Sequence, residues 1–534
     1  MSVKEALEID NWLEVFGFYG HSFSNIGTRH APRPYECFVE TCCFDVFLGT
    51  AAPPQTAVLF ASQGGGKTTH CVMSAVVNAP AGTLRHRAPF DLTPTEEEVP
   101  PMAAISPARI YKFVGRKEQI GLMEDCIGIV QYGGSVSWAV INFHGVVGIG
   151  KTALLRELQT RIISKELPCA FIDFAEPQSR TSVREAAANL TKDHHAPAVL
   201  FLDTLEKAEP ELLDWMEDEV IGPLIRTDRA LVIAASRIPH RWKQFEVRRR
   251  VYAAPLDRFD EPTTREQLPE QYSALASRIM RLTYGHPFGN VYVLQDIQKI
   301  EQEVGRPFER ADFDEYQTRL VQELVEQLIE RVVMEGVSPD IKQAYRVMAL
   351  ARHFDVNVLR RLLTRFVQEP FADKSAAYFL GVVGAMVKTT LVEWSSARRG
   401  YMLDDTIRWM LALHMKLTNR QRYEQINQEL IGLYDEWIER VPENRSGFII
   451  ERLYHEACLE SVQGVNAADI ADRLCGLLKG YLDRYYPMVE GGEMPHGRTV
   501  LMEELDKDDE LAGFLPRDRM TCLVEVVGKT SAMK

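Results

Sequence analysis

The chain has 534 residues, with 61 Lys and Arg against 75 Asp and Glu for a net charge of −14, 46% hydrophobic and 25% charged; that is three or four domains of ordinary globular composition. The acidic balance excludes a non-specific grip on nucleic acid or anionic membrane, which needs a basic surface. Nine cysteines without a CxxC pair fit buried thiols in a reducing compartment. No run reaches the ~18–20 apolar residues of a membrane span, and the N-terminus lacks an apolar signal core, so a cytoplasmic location and no membrane partner are expected.

Residues 1–108 read as an N-terminal segment. Within it "TAVLF" has strand character, "ASQGGGKT" (61–68) is a glycine-rich loop, and "TTHCVMSAVVNA" is helical. A Pro- and Glu-rich stretch over 81–109 then reads as a linker. From 109 to 255 five short apolar runs alternate with helical stretches: "WAVINF" (138–143), "CAFIDF" (169–174), "AVLFLD" (198–203), "ALVIAAS" (230–236) and "VYAAP" (251–255). Continuous apolar strands separated by helices predict a five-stranded parallel sheet covered on both faces.

Beyond 256 the pattern is helical. Residues 256–308 form one helical segment. Over 315–334, Leu320, Leu324, Leu328 and Val332 fall on one stripe at helical spacing. "IKQAYRVMALARHF" and "VNVLRRLLTRFV" form a helix–turn–helix pattern, and "KTTLVEWSSARRGYMLDD" (388–405) reads as a hairpin with a polar turn. A winged helix is therefore expected over 309–415, followed by a helical C-terminal region over 416–534. The fold class is multidomain α/β plus α.

The stretch "GVVGIGKT" (145–152) matches GxxxxGK[ST] in full, follows an apolar strand and opens a helix, the context that gives the motif meaning. Gly145, Gly148 and Gly150 let backbone N–H groups close around phosphate oxygens, at a helix N-terminus whose dipole favours anions. Lys151 is expected on the β/γ-phosphates and Thr152 on Mg²⁺. Asp203 ends the apolar run "AVLFLD" and is the second expected metal ligand, directly or through water, while Glu206 is placed to polarise the attacking water. Arg237 ends "LVIAASR"; it reads either as a cation touching the γ-phosphate or as an ordinary exposed strand-end arginine. The loop at 61–68 carries Gly66, Lys67 and Thr68 but has Ala61 in place of the first glycine. No apolar strand ending in Asp follows it before residue 115. It is a second candidate phosphate site with three readings: a relic kept for packing, a half-site completed from elsewhere, or a non-hydrolysing anion site.

"FVGRKEQI" (113–120), "GVVGIGKTALL", "LFLDTLEKA", "AASR" and "YGHPFGN" (284–290) occur in the order that resembles STAND-type signal-transduction ATPases, relatives of NB-ARC and AAA+ ATPases. The resemblance spans about 110–415. Residues 35–75 resemble, more loosely, the opening of a second bacterial P-loop ATPase module. The family resemblance implies a P-loop NTPase core over 109–255, a helical lid over 256–308, and ATP, ADP and Mg²⁺ as ligands. It implies Gly115 and Arg116 near base and sugar, Asp203 as the Walker B acid, Glu206 as catalytic acid, Arg237 as sensor, and Pro287 against adenine. Many relatives carry a His-Asp pair in the winged helix that touches ADP; here Asp404 stands where the His would be, and its charge would weaken ADP retention.

The expected function is an ATP-dependent molecular switch, a slow ATPase that changes conformation or oligomerisation to signal to a protein partner, with prokaryotic regulation or defence as the family association. Two alternatives stay open: a DNA-associated AAA+ ATPase using its winged helix, and a non-hydrolysing nucleotide-binding scaffold. The wing "SSARRG" offers only Arg398 and Arg399 to DNA. Nucleic acid is thus not the favoured partner; an unidentified protein or a second copy of the chain is.

Overall fold

A computed structural model of the chain describes residues 112–188, 190, 197–488 and 493–528. The loop with Gly66, Lys67 and Thr68 lies outside the described residues. Two compact units are formed, one from residues 112–336 and 404–418 and the other from 337–403 and 419–528.

In the first unit, α1 (Lys117–Gln131) leads into β1 (Val140–His144), which is followed by α2 (Lys151–Ser164), β2 (Cys169–Asp173), α3 (Arg180–Ala188), β3 (Ala198–Asp203), β4 (Ala230–Ser236) and β5 (Val251–Pro255). The five expected runs are the five strands. They form one parallel sheet in the order β2-β3-β4-β1-β5. With a glycine-rich loop between β1 and α2, this is a P-loop NTPase α/β fold. Every residue of β3 and β4 is buried, as helices on both faces require. At the sheet's edge, β5 exposes Tyr252 and Ala253. The α2 helix buries Leu154, Leu155, Leu158 and Ile162 against β2, β3 and β4; each such side chain contributes about 1.5–3 kcal/mol.

The register aligns the carboxyl ends of neighbouring strands. His144 pairs with Ser236 and Pro255, and Asp173 pairs with Asp203. Polar side chains therefore gather at the edge where open α/β sheets bind ligands.

A helical segment follows: α4 (Glu261–Gln267), α5 (Ala276–Thr283), α6 (Pro287–Val304) and α7 (Asp312–Leu324). Asp260 caps α4 by accepting from the Thr263 N–H, a standard N-cap. Between α5 and α6 the chain turns at Gly285, where a Cβ would sit 2.1 Å from the Phe259 carbonyl oxygen, so only glycine fits. α7 runs on as a π-helix over Val325–Val333. Its wider turn moves the apolar stripe by one position: Leu320, Leu324 and Leu328 are buried as expected, but one turn further on Val333 is buried and Val332 is half-exposed.

The second unit opens with α8 (Pro339–Met348), α9 (Val356–Phe366) and α10 (Ala376–Lys388), then the antiparallel hairpin of β6 (Val392–Ser395) and β7 (Gly400–Leu403). Helices and hairpin come in the expected order. Phe354 bridges to Tyr401 of β7 through a pair of backbone hydrogen bonds of 2.9 and 2.7 Å. The chain then returns to the first unit as α11 (Asp405–Thr418). There Trp409 stacks on Tyr284, with ring centroids 4.8 Å apart, and donates its indole N–H to the Arg281 carbonyl at 2.8 Å. Back in the second unit, α12 (Arg420–Arg440), α13 (Arg445–Gln463), α14 (Ala467–Tyr485), α15 (His496–Asp506) and Arg517–Gly528 enclose a core that includes Ile449, Leu453, Leu474, Leu478, Leu501 and Leu523.

The turn between α8 and α9 and the C-terminal helices share one buried charge cluster. Arg352 donates to both oxygens of Glu451 at 2.9 and 3.1 Å and to both oxygens of Asp508 at 2.7 Å. All three are buried. Burial works to raise the Glu451 carboxyl, but Arg352 overcomes it and holds it down at about 2. No described helix is long and apolar enough to cross a membrane.

Candidate phosphate-binding site

The loop between β1 and α2 has Gly145, Gly148 and Gly150 at φ of 152°, 82° and 101°. These backbone angles are costly for any residue with a Cβ. What fixes the loop is the fate of its carbonyls. Lys151 Nζ donates to Gly145 O at 2.7 Å and to Val146 O at 3.0 Å. His286 Nε2 donates to Val147 O at 2.9 Å. The Phe288 amide donates to Gly148 O at 3.3 Å, and an Arg116 Nη donates to Ile149 O at 2.7 Å. Five consecutive carbonyls are thus tied to donors. A peptide's N–H points opposite its C=O, so tying these carbonyls orients the amides. Among the described residues, the N–H groups of Val147, Gly148 and Gly150 donate to no protein acceptor. Backbone amides left without a protein acceptor in a glycine-rich turn at a helix N-terminus are the raw material of an anion nest.

Arg116 starts α1 at φ 59° after Gly115 at φ 68°. Its guanidinium bonds the carbonyls of Asp257 and Ile149, both at 2.7 Å. Burial pulls its pKa down to about 10, with Asp257 opposing. Pro287 is the first residue of α6, and its carbonyl accepts from Gln267 Nε2 at 2.9 Å.

Burial lowers Lys151 to about 8; Glu206, Asp203 and Asp404 work against that, while Arg237 adds to it. All four groups lie within electrostatic reach of the ammonium. Asp203 is buried at the end of β3. Burial raises its carboxyl, the Thr152 hydroxyl lowers it, and Asp173 raises it further. Its Oδ1 accepts from the Thr204 amide at 2.9 Å. Its Oδ2 is buried and accepts no hydrogen bond in good geometry among the described residues, although Thr152 is near enough to favour the charged form. Thr204 sits at φ 58°, unusual for a β-branched residue. Strain of this kind costs on the order of 1–3 kcal/mol and gathers at functional sites.

An orphaned buried carboxylate oxygen beside a threonine hydroxyl is an all-oxygen donor pair suited to a hard cation such as Mg²⁺. Thr152 and Asp203 therefore fit that ion. Glu206 and Arg237 face each other, Arg237 Nε lying 3.2 Å from Glu206 Oε1. Arg237 is thus an ion-pair partner at the sheet edge and not an isolated surface arginine.

Two residues at this edge were not among the expected site residues. His286 reaches the loop across 139 positions. Asp173 lies beside Asp203 and accepts from the Thr204 hydroxyl at 3.2 Å; the end of the run "CAFIDF" is the one signal that could have singled it out.

Asp404 belongs to this unit. Its Oδ1 accepts from the Thr406 and Ile407 amides at 3.0 and 3.1 Å, capping α11. Three cations of the basic stretch 241–250 are paired with acidic neighbours, Lys243 with Asp214, Arg249 with Glu246 and Arg250 with Asp228. In the second unit, Arg398 lies 3.8 Å from Glu451 and Arg399 donates to Asn444 at 2.7 Å.

No protein-family model matches the chain, and no curated protein does. Among solved structures it is similar to the RuvB Holliday junction branch migration motor of Thermotoga maritima, at 14% identity and a TM-score of 0.33 over 55% of this chain and 92% of that one. It is similar to Cdc6p of Pyrobaculum aerophilum at 12% identity and a TM-score of 0.33, over 59% of this chain and 97% of that one. It is also similar to a signal transduction ATPase with numerous domains from Pyrococcus horikoshii, which has a tetratricopeptide repeat sensor. That likeness has 13% identity and a TM-score of 0.25, over 79% of this chain and 66% of that one.

Proposed function

We propose that the chain is an ATP-dependent molecular switch that binds ATP or ADP with Mg²⁺ at residues 145–152, hydrolyses ATP slowly, and signals to a protein partner by changing conformation or oligomeric state. The observation that carries this reading is the loop whose five carbonyls are tied to donors while the amides of Val147, Gly148 and Gly150 meet no protein acceptor among the described residues, at the start of the helix that Lys151 opens. Amides and ammonium would bind the β- and γ-phosphates. A cation held by Thr152 and Asp203 would supply further charge neutralisation there. Glu206 would orient and deprotonate the attacking water, and Arg237 would meet the charge developing on the transferred phosphoryl group. We assign the core to 109–255 and the lid to 256–308, with Gly115, Arg116 and Pro287 flanking the nucleotide.

Coupling follows from linkage: a ligand shifts a conformational equilibrium only through the state it contacts better. Asp404 and Arg237, both acting on Lys151, are the groups that would register a change in phosphate charge. The test is the assembly state of the full chain with ADP and with a non-hydrolysable ATP analogue, read by light scattering. A nucleotide-dependent change in mass or hydrodynamic radius is expected. Identical profiles, together with measurable turnover, would leave an ATPase that is not a switch. The pairing of Arg398, Arg399, Lys243, Arg249 and Arg250 with protein groups speaks against the DNA-binding alternative.

A further inference from the structure

We propose that His286 is a positioning residue for the phosphate loop: its imidazole, protonated on Nε2 alone, clamps the Val147 carbonyl to the start of α6 and so holds the loop in its anion-accepting form. This rests on the reading that the loop binds nucleotide phosphates, and it adds to that reading the residue that keeps the loop shaped.

Only one tautomer satisfies the hydrogen bonds. The Gly289 amide can only donate, and it donates to His286 Nδ1 at 2.9 Å. The Val147 carbonyl can only accept, and it faces Nε2 at 2.9 Å. The proton is therefore on Nε2, and both ring nitrogens are occupied. The ring is fully buried, so an imidazolium would lose the Nδ1 acceptor and place a buried charge near Lys151. Burial lowers the imidazole to about 4, with the Val147 carbonyl opposing and Lys151 adding to it, which agrees with the geometry.

Space for the clamp is provided by the loop itself. A Cβ on Gly148 would lie 2.6 Å from His286 Cε1, so the glycine serves the ring's approach as well as the positive φ. The α6 side is braced in turn. Thr283 Oγ1 donates to Asn290 Oδ1 at 2.6 Å, Asn290 Nδ2 to Gln267 Oε1 at 2.8 Å, and Gln267 Nε2 to the Pro287 carbonyl at 2.9 Å. Thr283, His286 and Asn290 are all buried. A shift of α6 is thereby transmitted to the Val147–Gly148 peptide. Losing the clamp releases the loop to other conformations, and apparent affinity falls by the fraction that stays competent.

Two substitutions separate the roles. His286→Asn keeps an acceptor for the Gly289 amide and loses the donor to Val147. His286→Gln keeps a donor at the Nε2 position and loses the cap. ADP affinity with Mg²⁺ and the nucleotide-free melting midpoint are measured on the full chain for wild type, both variants and Lys151→Ala. His286→Asn is expected to weaken ADP about tenfold, about 1.4 kcal/mol, while His286→Gln binds within about twofold of wild type even where it melts earlier. If affinity merely tracked the melting midpoint across both variants, or if His286→Asn bound like wild type while Lys151→Ala was weakened, the clamp would be refuted alone. Wild type that failed to bind ADP, or bound it no better than Lys151→Ala, would overturn the nucleotide reading and the clamp with it.

Discussion

Arg237 Nε stands 3.2 Å from Glu206 Oε1, an ion pair in which that nitrogen makes no hydrogen bond of good geometry. The pair joins the end of β4 to the turn after β3. It also places the proposed water-activating carboxylate and the proposed phosphate-sensing cation on each other. Glu206→Gln is expected to lower turnover by about 10²–10⁴-fold and leave ADP affinity within about threefold. The Arg237→Ala effect on turnover should be smaller in the Glu206→Gln background than in wild type, because the residues act as a unit. Steady-state ATPase assays of the four proteins check this; fully additive losses would show that the pair does not act as one.

Lys151 ties pH to affinity. Burial is the main cause of its descent to about 8, with Glu206 opposing it. The phosphate-binding form is the ammonium, so ADP affinity should hold at pH 7 and fall as pH rises through about 8, by at most about tenfold per unit. Isothermal titration between pH 7 and 9.5 measures it. A flat profile would place the lysine away from the phosphates.

Asp404 adds negative charge beside that same ammonium while capping α11 with Oδ1. Asparagine keeps the cap and removes the charge. Asp404→Asn is therefore expected to slow ADP release about three- to tenfold at unchanged melting midpoint, and Asp404→His to slow it at least as much. Stopped-flow displacement of a fluorescent ADP reads the rate; no change in either variant would end the view that this aspartate weakens ADP retention.

How much of this was readable beforehand follows from which contacts are local. The strands were legible because a parallel strand covered on both faces is an apolar run, as β3 and β4 are up to the polar residues Asp203 and Ser236 that end them. That Lys151, Thr152 and Asp203 come near one another was legible because the loop opens α2 and the acid ends an apolar strand. His286 was not, because its contact with Val147 is tertiary and "GHP" says nothing of where the ring points. The shift from Val332 to Val333 was hidden because a π-helical turn breaks the 3.6-residue period on which the stripe was counted. Arg398 and Arg399 looked like free wing cations; their engagement by Glu451 and Asn444 depends on helices 45 or more positions away.

The buried cluster in the second unit sets a stability prediction. Arg352→Met removes the buried cation that Glu451 and Asp508 share, which costs about 3–5 kcal/mol. Urea unfolding followed by circular dichroism should show the loss. A change under about 1 kcal/mol would mean that water or another cation replaces the arginine.

His286 sets a second one. Its folded pKa of about 4 lies below the ordinary imidazole value of about 6.5. The unfolded chain therefore takes up this proton first as pH falls. The stabilisation is present above about 6.5 and is lost on the way to about 4, a difference of about 3 kcal/mol. Unfolding free energies at pH 7 and 4.5 should differ less in His286→Gln than in wild type; equal differences would show that the ring protonates freely in the folded state.

The central claim, that residues 145–152 and not 61–68 form the working nucleotide site, is tested most directly by Mg²⁺-dependent ATP turnover of Lys151→Ala against Lys67→Ala in the full chain. Turnover lost in Lys151→Ala and retained in Lys67→Ala is the predicted result. Turnover lost in Lys67→Ala and retained in Lys151→Ala would contradict the account.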